Sequence, residues 1–492
     1  MSKKLYKHGI GVEEKATTLP KPKKCTAGVQ VVVGTAAINT LDNPEDAVNK
    51  PILVNEFDEA VEKFGYNDNF DDYTLYQSVF INFKHLSNAP IVLINVLDPA
   101  IHRTEMEEKE YPVQNRQCVI DEDGILLKEL VVKSAAVELT AGKDYIASFD
   151  TNGHVVITTT SAGSAVNAKT LTVSGYKIDP KKVTENDIIG GYDVDTGAEK
   201  GLECIRKVFP RTGIVPGLIL APKWSKNKNV AAALMAKSVS INGLFKAFAI
   251  IDLDTTKATK YEDVESLKEE YGIDDENCAA LWPMVAINKK KFYYSAVYAA
   301  RLQQNDRENG DVIDVKSSNQ DIGISEAILE DGTEVLLDES QANELNAIGV
   351  VTLNNFGGTV FTWGNNTAAY PYTSDPKDRR TGIRRFFSWW GNRFILDYHT
   401  RIDDPTNYKK VEALIDDENI LGNSYAAQGK CAGAKIEFDL NKNPLSNILN
   451  GHIEFTQKLA PYPNMEYVKN TLEFDPSMIE AEFTNAFGGG DN

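Results

Sequence analysis

The sequence has few of the residues that catalytic and metal centres need. Its 492 residues include six histidines and five cysteines, and no two histidines have the i,i+4 spacing of a zinc-binding H-E-x-x-H motif. The cysteines never form a CxxC pair, so we expect free, mostly buried thiols in a reducing compartment. No G-x-x-x-x-G-K-[ST], G-x-G-x-x-G or G-x-S-x-G motif is present. We therefore expect a protein that is not an enzyme and has no cofactor or metal.

The chain also lacks net positive charge and long apolar runs. A formal net charge of -19 argues against nonspecific binding to nucleic acid or anionic membranes, because both need a positive field. No apolar run approaches the ~20 residues that cross a bilayer. The lysines at the N-terminus are not followed by the apolar core of a signal peptide. We expect a soluble protein made in the cytoplasm, with no nucleic-acid partner and no membrane insertion.

Buried strands alternate with amphipathic helices in two stretches of the chain, which is typical of an α/β core. The predicted strands are 29–35, 90–99, 217–222, 247–254 and 279–287, and the predicted helices are 56–64, 73–86, 229–239, 263–271 and 292–304. Between the two stretches, short Val- and Thr-rich runs separated by turn signals such as Asp123-Gly124 indicate a small antiparallel β domain.

The predicted fold class is an α/β (α+β) core with an inserted antiparallel β domain, a C-terminal α+β domain and extended N- and C-terminal arms. The C-terminal domain contains two predicted helices, 384–397 and 407–421. The predicted segments are an N-terminal arm (1–24), a first core segment (25–102), the inserted domain (103–195), a second core segment (196–376), the C-terminal domain (377–465) and a C-terminal arm (466–492).

The last sixty residues contain three short stretches in which apolar and polar residues alternate, as in half-buried strands. Their apolar positions are Ile436, Phe438 and Leu440, then Ile453 and Phe455, then Leu472 and Phe474. A terminal strand with free edges must pair within its own chain or with a neighbouring one. That choice decides whether the protein is a monomer or a building block.

The two ends of the chain carry opposite charge. Residues 1–24 contain seven lysines and two glutamates, a net charge of +5, whereas residues 466–492 contain six acidic residues and one lysine, a net charge of -5. One interpretation is two disordered tails. The other is that the arms exchange between subunits and add strands to a neighbour's sheet. Such a head-to-tail exchange propagates into rings or helical filaments.

A second local excess of positive charge lies in residues 377–410, which contain nine lysines or arginines and four aspartates. These basic residues either pair with the acidic core of the same chain or form a docking face for an acidic partner. The candidate contact residues are Arg379, Arg380, Arg384, Arg385, Arg393, Lys409 and Lys410.

Several segments, taken in order, resemble the tail sheath proteins of contractile phage tails and phage-tail-like R-type bacteriocins. These segments are KHGIGVEE (7–14), NAPIVLINVLDP (88–99), ENGDV within 306–319, TWGNNTAAYP (362–371) and, as the best match, the closing segment at 447–475. The inserted β domain lies where sheath proteins vary, and the helix after Pro376 follows the family pattern less clearly.

The resemblance implies a structural subunit that polymerises around an inner tube, is linked by arm strand exchange, and contracts to drive the tube through a target envelope. The implied arm residues are Tyr6, His8, Ile10, Val12, Tyr467, Leu472 and Phe474. The implied partners are further copies of the chain, the inner tail tube protein, and baseplate and tail terminator proteins. The expected location is the bacterial host cytoplasm during assembly, then a virion tail or released tail-like particle. Two alternatives stay open: a sheath component of a related contractile secretion or injection machine, and an α/β hydrolase-like enzyme.

Overall fold

The computed structural model describes the backbone of Lys23–Lys24 and residues 26–150 and 153–487. The predicted arm residues Tyr6, His8, Ile10 and Val12 therefore lie outside the described residues. Contacts divide the chain into two compact units, Met1–Tyr462 and Pro463–Asn492, and each unit is described by itself below.

The first unit is built on a nine-stranded mixed sheet, here called the central sheet. Its spatial order is Asp321–Ile324, Thr359–Trp363, Val350–Phe356, Cys278–Leu281, Phe248–Asp252, Leu218–Leu220, Gln30–Gly34, Ile91–Asn95 and Ile52–Val54. The six strands from Val350–Phe356 to Ile91–Asn95 pair in parallel, and the outer strands pair antiparallel. The inner strands are apolar and buried on both faces, as parallel strands covered by helices are.

The eight helices that surround this sheet in the described part of the chain include five that the sequence pattern predicts at nearly the same positions. The eight are Phe57–Phe64, Leu75–Val79 (continued by the π-helical turn Phe80–His85), Glu185–Ile189, Val208–Thr212, Lys228–Val239, Val264–Tyr271, Tyr294–Glu308 and Glu339–Ala347. The helix Tyr294–Glu308 is buried along most of its length, because it packs directly on the sheet.

The predicted antiparallel strands between the two stretches of α/β pattern are confirmed. One sheet has the order Arg103–Pro112, Thr170–Ile178, Val131–Ser134, Val137–Glu138, and another has the order Tyr145–Phe149, Val155–Thr159, Gln117–Ile120. Fourteen buried residues between Met106 and Val173 form a hydrophobic cluster of their own. A small hairpin follows, Gly191–Tyr192 with Glu199–Lys200. The mixed α/β class is confirmed, while the domain boundaries stay a prediction.

The prediction of one strand over 279–287 is wrong. Cys278–Leu281 belongs to the central sheet, whereas Met284–Ile287 pairs with Lys290–Phe292 and Glu326–Ile328 in a separate three-stranded sheet. Pro283 lies between the two strands and joins Trp282 by a cis peptide bond. Proline has no N–H to donate to a ladder, so a continuous central strand through this position is disfavoured.

The C-terminal region of the first unit consists of helices and a two-stranded hairpin. Its helices are Pro376–Arg379, Thr381–Tyr398, Tyr408–Ala427 and Leu445–Leu449, and its hairpin pairs Gly433–Phe438 with Phe455–Ala460. The predicted helices at 384–397 and 407–421 are confirmed with longer bounds. The strands confirm two of the three alternating stretches, although Leu440 and Ile453 lie outside them.

The third alternating stretch is not a strand in this structure. Residues 461–475 have no regular secondary structure, and Pro476–Phe487 forms an α-helix that is not among the predicted helices. The helix begins with a proline, which suits a first turn, and Asp475 accepts a hydrogen bond from the Ser477 amide at 2.9 Å. A lone strand leaves its backbone groups unpaired, so Leu472 and Phe474 need a partner strand to become part of a sheet.

Candidate functional site

The hairpin at the end of the first unit has one covered edge and one open edge. Asn419, on the helix Tyr408–Ala427, accepts a hydrogen bond from the Ile436 amide at 2.9 Å and donates one to the Ile436 carbonyl at 3.3 Å. The outward backbone groups of Ile436 are thereby satisfied. The same helix passes so close that a Cβ atom on Gly422 would lie 2.2 Å from the Ala434 carbonyl oxygen. The strand Gly433–Phe438 therefore cannot accept another strand at this edge.

The opposite edge, formed by Phe455–Ala460, has no partner strand within the described residues. Its side chains are exposed or half-buried, so the edge is accessible in the isolated subunit. In an antiparallel ladder alternate residues direct their N–H and C=O groups outward. An open edge of this kind is a template for an added strand.

The second unit presents apolar side chains that are not covered. Tyr467, Leu472 and Phe474, the three C-terminal arm residues predicted from the sequence, are each more than four-fifths exposed. The following helix adds Phe483 and Phe487, whose rings stack with their centroids 6.2 Å apart. A run of exposed apolar residues on a soluble protein marks an interaction surface.

Three of the seven candidate basic residues are held in ion pairs inside the first unit, with Arg384 and Arg385 buried and Arg393 half-buried. Arg385 pairs with the buried Asp306, and Arg393 pairs with the buried Glu418 at 2.8 Å. Arg384 lies 3.1 Å from the Asp378 carboxylate. The alternative of pairing within the chain therefore applies to these three arginines, and they are not available for a docking face in this structure.

The other four candidates lie nearer the surface. Arg379 and Arg380 are half-buried, and the Arg379 guanidinium donates a hydrogen bond to Asn366 at 3.0 Å. Lys409 and Lys410 are exposed at the start of the helix Tyr408–Ala427, and Lys410 lies 2.8 Å from the Asp404 carboxylate. A docking face could use the two lysines without disturbing the interior.

The carboxyl edge of the central sheet, where α/β enzymes place their chemistry, holds a buried polar cluster. The Asp252 carboxylate accepts hydrogen bonds from the Ser295 amide at 2.8 Å and the Ser295 hydroxyl at 2.5 Å, and from the Ser225 hydroxyl at 3.0 Å. Burial raises the pKa of Asp252 to about 6, and these hydrogen bonds oppose the shift. Both serine hydroxyls donate their hydrogen bonds to the carboxylate, and no described histidine forms a hydrogen bond with either of them. The cluster ties the strand Phe248–Asp252 to the helix Tyr294–Glu308.

We expect Asp252→Asn to change the pH dependence of stability. Because the folded-state pKa is raised, the contribution of Asp252 to the free energy of unfolding is fully present below about pH 4 and is lost as the pH rises through about 6. The amide does not titrate, so the stability of the variant relative to the wild type should improve by roughly 2 to 3 kcal/mol between pH 4 and pH 8. Urea unfolding at both pH values measures this, and a constant difference would contradict it.

The described residues contain no group of three or more His, Cys, Asp or Glu side chains that could hold a metal ion. Across the same residues, no helix combines the length and the apolar character needed to span a membrane.

Sequence comparison gives a match that runs from end to end. The chain is 24% identical over 506 residues to the tail sheath protein of Burkholderia phage BcepMu, and the match covers 99% of both chains. This full-length similarity to a phage tail sheath protein supports the resemblance to the contractile tail sheath family. The major tail sheath protein of Serratia phage KSP20 is 24% identical over 320 residues, with 63% of this chain and 76% of that protein covered. No protein-family model matches the chain.

Solved structures share the fold of this chain. A chain of the anti-feeding prophage baseplate has a TM-score of 0.58 at 14% identity, covering 95% of this chain and 98% of that chain. A chain from the contracted sheath complex of the PVC extracellular contractile injection system has a TM-score of 0.56 at 13% identity, covering 97% of this chain and 100% of that one. The matched proteins are structural sheath subunits, so the prediction of a non-enzyme is confirmed and the hydrolase alternative is wrong.

Proposed function

We propose that this sheath protein is the repeating subunit of a contractile sheath that polymerises around an inner tube and is linked by strand exchange between neighbouring copies. The observation that carries the proposal is the hairpin with its single open edge, Phe455–Ala460, in a chain whose terminal segment exposes apolar side chains. Full-length similarity to a phage tail sheath protein supports it.

The proposed link is β-augmentation, in which Leu472 and Phe474 of one copy enter the hairpin of another. Backbone hydrogen bonds to the outer groups of Phe455–Ala460 supply affinity, and the alternate side chains supply register. The N-terminal arm, with Tyr6, His8, Ile10 and Val12, is proposed to take part in the same mesh, steered by its positive charge toward acidic neighbours. Because the donor and acceptor surfaces differ, each copy leaves one of each free, and the assembly extends into rings or a helix.

Contraction is proposed to proceed without nucleotide, because the extended assembly is metastable. If each subunit buries ~200 Å² more apolar surface on contraction, the gain is about 5 kcal/mol per subunit at ~25 cal/mol per Å². Summed over many subunits, this drives the tube through an envelope. The proposed partners are the inner tube, the baseplate and the tail terminator. The proposed location is a virion tail or phage-tail-like bacteriocin particle, assembled in the host cytoplasm.

A second candidate is the sheath of a related injection machine rather than of a phage. It is favoured by the fold likeness to sheath chains of the anti-feeding prophage and the PVC system. Both candidates predict the same polymer, and the genes adjacent to this one distinguish them.

We propose that Lys409 and Lys410 contribute to the contact with the inner tube, together with Arg379 and Arg380. The double variant Lys409→Glu and Lys410→Glu is expected to weaken binding of the sheath to isolated tubes, and low salt should enlarge the difference from wild type. Co-sedimentation with tubes at two salt concentrations measures it. Lys63→Glu, on the exposed side of the helix Phe57–Phe64, is the matched control. Wild-type binding by the double variant would remove the two lysines from the contact.

Negative-stain electron microscopy of the purified full-length protein, alone and with its inner tube protein, tests the proposed function. Hollow striated tubes or stacked rings are the expected result. Single particles in every condition, including with the tube, would contradict it.

A further inference from the structure

One short segment of the chain contacts both the residues that follow the N-terminal arm and the region of the C-terminal hairpin. Residues 306–313, here called the junction segment, comprise the end of the helix Tyr294–Glu308 and the loop that follows it. Asp306 pairs with Arg385 on the helix Thr381–Tyr398. Asn309 accepts two hydrogen bonds from the Lys430 ammonium, at 2.5 Å to its carbonyl and 2.7 Å to its side chain. Lys430 lies just before the first strand of the hairpin.

The same segment holds the chain where the N-terminal arm ends. The Asp311 carboxylate accepts hydrogen bonds from the backbone amides of Thr26 and Ala27 at 2.7 and 2.9 Å, and the Thr26 hydroxyl donates to its other oxygen. Arg307 donates a hydrogen bond to the Asn88 side chain at 2.9 Å. The strand Asn88–Ala89 pairs in parallel with Lys23–Lys24. Charge-assisted hydrogen bonds of this kind are about twice as strong as neutral ones.

A hydrophobic cluster connects the same parts of the chain. Its buried members are Ala27, Val312, Ile313, Phe386, Trp390, Cys431 and Ala434, and Leu459 is one of the residues that pack against it. The cluster therefore includes the first residues after the N-terminal arm, the junction segment, the arginine-bearing helix and both hairpin strands. Leu459 lies four residues before the second unit begins at Pro463.

The junction segment contains a turn with an uncommon backbone conformation. Gly310 and Asp311 both have positive φ angles, 76° and 65°, a region that glycine tolerates freely and aspartate tolerates better than most residues. The turn brings the Asp311 carboxylate back onto the amides of Thr26 and Ala27, a contact across 285 residues of sequence. The ENGDV sequence thus supplies both the turn and the anion.

We propose that the junction segment connects the two arms of one subunit mechanically, and that Asp311 is the positioning residue that anchors the N-terminal arm to it. A pull on the N-terminal arm then reaches the hairpin through residues 306–313 as well as through the central sheet, which the chain enters at Gln30. The anchoring by Asp311 concerns the isolated subunit, whereas the transfer of load rests on the proposed sheath function.

Hydrogen–deuterium exchange on the full-length subunit tests the anchor. Asp311→Gly removes the carboxylate and keeps a residue that accepts the positive φ angle, so the amides of Thr26 and Ala27 should exchange roughly tenfold faster or more. Asp311→Asn should give a smaller increase, because its amide oxygen still accepts a hydrogen bond. Asp403→Gly is the matched control, since Asp403 is an exposed aspartate with a φ angle of 67°. Unchanged exchange at Thr26 and Ala27 in Asp311→Gly would overturn the anchor.

Shearing of assembled polymers tests the transfer of load. Polymers of Asp311→Gly should break into shorter pieces than polymers of Asp403→Gly under identical shear, as measured by electron microscopy. Equal lengths combined with faster exchange would overturn the load-bearing role and leave the anchor. If the wild-type protein forms no polymers, the proposed function and the load-bearing role fail together, and the exchange result still decides the anchor.

Discussion

Removal of residues 466–492 is expected to leave a folded subunit that no longer polymerises. The deleted residues contribute nothing to the four hydrophobic clusters of the described chain, because every member of those clusters precedes them. The urea midpoint of unfolding should therefore stay close to that of the wild type. What the deletion removes is the donor strand, and a head-to-tail polymer cannot extend without it.

A single substitution tests the same idea more sharply. Phe474→Asp places a charge at a position that the proposed strand buries, and we expect a critical concentration for polymerisation raised roughly 10- to 100-fold, from the lost burial of one large apolar side chain. Thr471→Asp adds the same charge three residues earlier, on the other face of an alternating strand, and should polymerise nearly as the wild type does. Sedimentation across a concentration series measures both. Equal effects of the two variants would show that charge, and not the strand face, controls assembly.

Arg385→Ala is expected to produce the largest loss of folding stability, about 3–5 kcal/mol in the free energy of unfolding, because it leaves the Asp306 carboxylate buried without its partner. Burial already raises the pKa of Asp306 to about 6 while Arg385 opposes the shift. Without the arginine the pKa rises further, so the loss should be smaller at pH 4, where the carboxyl binds a proton, than at pH 8. Urea unfolding at the two pH values measures this.

Two comparisons separate the buried charge from general disruption. Arg401→Ala removes an arginine from the exposed pair with Asp417 at 2.8 Å and should cost less than about 1 kcal/mol. The double variant Arg385→Met and Asp306→Leu removes both charges and should recover part of the loss, since no unpaired charge remains. A double variant less stable than Arg385→Ala would contradict this account.

The strands of the central sheet could be predicted from the sequence because each is a local apolar run. Phe248–Asp252 and Gln30–Gly34 are examples, and their period and length need no distant information. The strand prediction failed at Pro283, where a continuous apolar run conceals a change of sheet. The helix Pro476–Phe487 was missed although Ile479, Phe483 and Phe487 follow at i, i+4 and i+8.

The basic surface was the least predictable feature of the candidate site. A count of lysines and arginines shows an excess of positive charge, but it does not show which acidic residues pair with them. Arg385 meets Asp306 across 79 residues of sequence, and Arg393 meets Glu418 from a different helix. Such pairs depend on tertiary packing, which no local pattern encodes. The junction segment could not be predicted for the same reason: the contact between Asp311 and Thr26 exists only in the folded chain.

A high-resolution cryo-electron microscopy map of the assembled polymer is the most direct test of subunit linkage by strand exchange. We expect a third strand, carrying Leu472 and Phe474 of a neighbouring copy, paired along Phe455–Ala460, while Asn419 still caps Ile436 on the other edge. A hairpin that stays two-stranded in the polymer, with the terminal segment folded onto its own subunit, would contradict it.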